Sequence, residues 1–164
     1  MILGESSMSA ALPELARQVR GKTLEMLRAT PEAWLTWAPP GTSNHILWHA
    51  GHALWAQDVL CVWPLTGKSE LPAGWADAFG QNCRPVATTT DWPSAPKICR
   101  HLEAQLERIL ELLPEHAERI VDRGDEVSPI CGWPLLASMV HGWHDEARHQ
   151  GEMHLLLKQR RATT

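Results

Sequence analysis

Apolar residues recur at helical spacing in four stretches of this 164-residue chain, and proline and glycine mark the breaks between them. In AALPELARQVRGKTLEMLRA, residues 10–29, Leu12, Leu15, Val19, Met26 and Leu27 keep a helical period with charges between them. This predicts a first helix that stops before Pro31. The following TPEAWLTWAPPGTSN reads as a loop, with Trp34 and Trp37 covering the end of a bundle. Ser43 or Asn44 is placed to cap a second helix running to about Cys61. The stretch from Val62 to Trp92 is too long and too broken for a tight turn. It predicts a long crossover, with a short helical turn near Trp75 to Phe79, that lets the second and third helices run parallel. Asp91 or Ser94 starts the third helix, where Ile98, Leu102, Leu106, Ile109 and Leu113 form an apolar stripe ending at Pro114. A second loop, 115–133, leads into a fourth helix at about Pro134, a residue suited to a first turn.

Four amphipathic segments, with no strand pattern and no internal repeat, predict an all-α four-helix bundle forming one domain over residues 1–164. A chain of this length buries roughly two thirds of its unfolded surface and needs no disulfide support. The four cysteines, Cys61, Cys83, Cys99 and Cys131, form no CxxC pair and are expected to be reduced thiols of a cytoplasmic protein. MILGESSMSA lacks the features of a signal peptide, and no run is apolar enough to span a membrane. A net charge of −4 with pI near 6.1 gives no electrostatic reason to expect nucleic acid. The one basic cluster, Lys158 to Arg161, sits where it complements the negative end of a helix dipole.

Histidine is the unusual residue in this chain. Seven of nine histidines fall in two clusters, so the excess is local. His45, His49 and His52 in NHILWHAGHALW lie at i, i+4 and i+7 on the second helix. His52 falls between Trp48 and Trp55 on the face expected to be buried, with His45 roughly 20° and His49 roughly 60° around the helix. Either is placed to flank it at the site's edge. In MVHGWHDEARHQGEMHLLLK, His141, Asp145, His149 and Glu152 share an arc of roughly 80°. Asp145 and His149, four apart, can chelate one ion from adjacent turns. His144 and His149 are roughly 140° apart and cannot. The most apolar line of this helix, Leu136, Val140, Trp143 and Ala147, lies nearly opposite. By periodicity the Asp145 stripe is then a solvated face, unless a second subunit also covers the helix.

If His52 meets Asp145 and His149, the three make a two-histidine, one-carboxylate set with open positions, suited to Zn, Ni, Mn or Fe(II). His49, His141 and Glu152 are candidates to orient such a ligand or move protons behind it. No GxSxG, P-loop or GxGxxG occurs, so serine-nucleophile and nucleotide-binding readings have no starting point.

At these residues the chain resembles the DinB-like family of metal-binding four-helix bundles. The resemblance rests on Trp48, Gly51, His52 and Trp55, on the long crossover, and on His141, Asp145, His149, Gly151 and Glu152. It implies that one residue of the second helix and two of the fourth, His52, Asp145 and His149, bind a divalent metal. Asp145 stands where many members have histidine, although thiol-dependent isomerases are similar in using a carboxylate there. The second-helix run also looks like the N-terminal domain of ergothioneine-pathway sulfoxide synthases. The resemblance further implies a homodimer and a metal-dependent enzyme acting on small molecules. Such an enzyme is a transferase using a low-molecular-weight thiol such as bacillithiol or mycothiol, or a hydrolase. The alternatives are a non-catalytic metal-binding or stress-associated bundle, and a structural dimer with histidines on its surface.

Overall fold

In a computed structural model, which describes residues 5–81, 83, 85, 91–113 and 132–163, helix α1 spans Glu5–Ala29 and ends just before Pro31. The loop expected at 115–133 falls almost wholly outside the described residues, as do Cys131 and residues 86–90 of the crossover. Helix α2 spans Ile46–Gln57 and continues through a π turn, Asp58–Val62, into α3, Trp63–Thr66. Gly67, at φ 77°, closes this run in the left-handed conformation that glycine adopts freely. The helical path therefore goes one turn beyond Cys61. Its cap is His45, in place of Ser43 or Asn44: the backbone there is extended, and His45 Nδ1 accepts from Trp48 N–H at 3.1 Å. An imidazole nitrogen does the work usually done by a short side-chain oxygen.

The short helical turn in the crossover is α4, Trp75–Phe79. Helix α5, Ala95–Leu112, begins behind Ser94, and Ile98, Leu102 and Ile109 of its stripe are fully buried. Helix α6, Leu135–Ala162, begins directly after Pro134. The four long helices form an all-α bundle in which α1 and α6 run one way and α2 and α5 the other. Ser138 Oγ donates to Leu60 O at 2.7 Å while His49 meets His149, so α2 and α6 are antiparallel. Gln105 Nε2 donates to Leu54 O at 2.9 Å, and Leu47 lies beside Ser94 to Cys99, so α2 and α5 are parallel, as the crossover allows. Among the described residues no helix is long and apolar enough to cross a membrane, and Cys61, Cys83 and Cys99 are free thiols.

The apolar core has two parts. One gathers Leu27, Ile46, Trp48, Leu54, Phe79 and Ile98; the other gathers Leu12, Val59, Ile109, Leu135, Met139 and Trp143. At the level of α1 and α6 between them lies a charged pair that the hydrophobic pattern did not announce. Arg20 and Glu146 are both fully buried, with Arg20 Nε 3.0 Å from Glu146 Oε1 and Nη2 3.0 Å from Oε2. Arg20 Nη1 also donates to Leu102 O, Thr23 Oγ1 donates to Glu146 Oε1 at 2.6 Å, and the guanidinium lies over the Trp143 ring. Every polar atom of the pair thus has company, which a buried charge requires.

This pair corrects the expected face of α6. The inward line is Leu135, Ser138, Met139, Gly142, Trp143, Glu146, His149 and Met153, whereas Val140 is 45% exposed and Ala147 is exposed. The inward face hides polar and small residues from a hydropathy count, because each has a partner. Ser138 bonds Leu60 O, Glu146 bonds Arg20, and Gly142 leaves room for Gln57, whose Oε1 would sit 2.9 Å from any added Cβ. Asp145 and His149 consequently face α2 within one chain, while the ends of their stripe, His141 and Glu152, stay exposed. No second subunit is needed to bury His149.

Candidate metal centre

The central turns of α2 and α6 bring His52, Asp145 and His149 together. His52 is held from the crossover: its Nδ1 lies 2.7 Å from Phe79 O. A carbonyl only accepts, so Nδ1 carries the proton and Nε2 presents a lone pair. Gly51 makes this possible, since a Cβ there would overlap the Phe79 ring. A glycine inside a bulky apolar helix is the sequence trace of that close approach. Trp48 stacks on the His52 ring at 4.7 Å, and Trp55 packs against it at 5.1 Å.

Asp145 Oδ2 lies 3.7 Å from His52 Nε2 and 3.5 Å from His149 Nε2. One ligand atom from each of the three residues falls within 4.8 Å of the others. Asp145 Oδ1 accepts from Arg148 Nη2 at 2.6 Å, a contact the sequence did not signal. His149 Nε2 is buried without a hydrogen-bond partner. Two imidazole nitrogens and a carboxylate oxygen converging on one point, one of them orphaned, fit a divalent cation in both charge and donor type. Burial, reinforced by the neighbouring imidazole of His52, holds His149 down to about 4. Burial likewise lowers His52, with the Phe79 carbonyl and Asp145 opposing. Both rings are therefore neutral near pH 7, the form in which histidine binds metal.

His49 sits deeper than its angular offset suggested. It is 2% exposed, its Nδ1 lies 2.8 Å from His149 Nδ1, and its Nε2 lies 3.3 Å from Glu152 Oε2. Burial first, then the His149, His52 and His45 rings, lowers its pKa to about 3. Glu152 is half exposed, and His49, His149 and Glu152 form a second group with ligand atoms within 4.8 Å. The other candidates lie elsewhere. His141 is exposed and rests on the Trp133 ring, two turns or roughly 12 Å along α6 from His149. His45 shares the angular stripe of His52 but is displaced roughly 10 Å along the axis, where it caps α2 against Trp92. Angular position alone cannot register that rise. His144 is exposed, in keeping with its angle.

A family model described as the DinB superfamily matches residues 15–153, a span that contains every residue of this centre. A search of curated proteins finds no match.

Proposed function

This chain belongs to the DinB superfamily, and we propose that it is a divalent-metal-dependent enzyme acting on small molecules, with His52, Asp145 and His149 holding the ion. One observation carries this reading: the buried, unpartnered His149 Nε2 faces Asp145 Oδ2. A divalent ion at such a point lowers the pKa of a coordinated thiol or water and supplies a nucleophile at neutral pH. The chain's own side chains do the rest. Trp48 and Trp55 wall off His52 and keep water from that side, Arg148 fixes the orientation of Asp145, and half-exposed Glu152 stands where a proton can pass to solvent.

The test has two parts. Metal content by mass spectrometry should match the chain one to one and disappear in His52→Ala and His149→Ala. The loaded protein should then turn over small electrophiles with bacillithiol, mycothiol or glutathione. A protein that never takes up a divalent ion removes the proposal.

A second reading, a non-catalytic metal-binding bundle, is favoured by the Arg148 contact, which neutralises part of the Asp145 charge. It predicts bound metal and no turnover with any thiol or with water.

A further inference from the structure

Resting on that reading of the centre, we propose that Glu152 and His49 are positioning residues: they set the tautomer of His149 so that its Nε2 is the bare, metal-accepting nitrogen. The Glu152 carboxylate can only accept, and Oε2 lies 3.3 Å from His49 Nε2, which places the His49 proton on Nε2. His49 Nδ1 is then a lone pair. It lies 2.8 Å from His149 Nδ1, and two facing lone pairs at that distance repel, so His149 Nδ1 carries the proton and donates it. Glu152 Oε2, 3.8 Å from His149 Nδ1, favours the same arrangement. His149 Nε2 is left bare.

One group pulls the other way. Asp145 Oδ2 stands 3.5 Å from His149 Nε2 and by itself favours a proton there. The 2.8 Å bond forms in either direction, so the carboxylates decide: Glu152 Oε2 faces both His49 Nε2, at 3.3 Å, and His149 Nδ1, at 3.8 Å, whereas Asp145 has one contact at 3.5 Å and His149 Nε2 makes no hydrogen bond. Arg148, 2.6 Å from Asp145 Oδ1, also satisfies that carboxylate from its other side. Phe79 O performs for His52 what the Glu152 and His49 relay performs for His149. The result is two bare Nε2 atoms beside one carboxylate, prepared for a cation before it arrives. Neither His49 nor Glu152 needs to touch the ion.

The test uses the full chain with ¹⁵N-labelled histidine, stripped of metal by a chelator. Long-range ¹H–¹⁵N correlation should show His149 protonated on Nδ1 in the wild type and displaced toward the Nε2-protonated form in Glu152→Ala. Glu152 is half exposed, so this substitution leaves the core intact. Zinc(II), titrated against a chromophoric chelator, should bind one ion per chain and bind Glu152→Ala roughly tenfold or more weakly. Glu152→Gln, whose side-chain carbonyl still accepts from His49, should stay near the wild type. The proposal is overturned by a wild-type His149 proton on Nε2, by equal zinc affinity in Glu152→Ala, or by Glu152→Gln binding as weakly as Glu152→Ala. A second zinc ion that vanishes with Glu152 also overturns it, because Glu152 is then itself a ligand. Zinc that never binds the wild type instead removes the metal reading of the centre, an outcome the metal-free tautomer spectrum tells apart.

Discussion

Gly51 and His52 act as a unit, because the hydrogen atom that stands for a side chain at 51 lets Phe79 come close enough for its carbonyl to hold His52 Nδ1. Gly51→Ala should therefore destabilise the fold by about 1–3 kcal/mol through overpacking and also weaken zinc binding. Urea unfolding with a zinc titration checks both; unchanged zinc affinity would detach the Phe79 carbonyl from the centre. His45 gives a pH prediction well away from the metal ligands. Burial lowers its pKa to about 4, against roughly 6.5 in the unfolded chain. The unfolded state binds the extra proton between those values. Stability from the neutral cap is thus fully present above pH 6.5 and is lost as pH falls through about 4. Asn caps without titrating in this range, so the advantage of wild type over His45→Asn in urea unfolding should shrink from pH 7 to pH 4. A pH-independent difference would contradict the cap.

At the scale of elements, the helices were legible because proline and glycine punctuate the chain: Pro31, Pro114 and Pro134 bound α1, α5 and α6, and α4 falls at Trp75–Phe79 as expected. The orientation of α6 was not legible. Its inward face carries Glu146, Ser138 and Gly142, whose burial is compensated by Arg20, Leu60 O and Gln57 on other helices. No periodicity within α6 contains those partners. The same holds for His49, whose place was decided by where His149 arrives from α6. The Arg20–Glu146 pair makes a prediction of its own. Either Arg20→Ala or Glu146→Ala leaves an uncompensated buried charge and should cost about 3–5 kcal/mol in denaturant unfolding. The double substitution Arg20→Met with Glu146→Leu should cost less than either. A double variant as unstable as the sum of the singles would show that the two charges do not stabilise one another.

For the whole molecule, the crossover sets α2 and α5 parallel, and α6 is left facing both the bundle and the outside. Its outer face shows Val140 and Leu155, 45% and 54% exposed, with Ala147 between them. We propose that a homodimer forms through this face, and not through the metal centre, which one chain already buries. Light scattering should give twice the chain mass, and Val140→Asp should halve it; a wild-type monomer would dismiss the dimer and leave the centre untouched. The two halves of the centre come from segments about a hundred residues apart, so a bound ion ties α2 to α6 and should raise the unfolding temperature with zinc concentration. The claim on which the rest depends is that three side chains hold one ion. Anomalous diffraction at the zinc edge from zinc-loaded crystals measures this directly. The predicted result is one peak per chain bounded by His52 Nε2, Asp145 Oδ2 and His149 Nε2; no peak there, or zinc held only elsewhere on the chain, would contradict it.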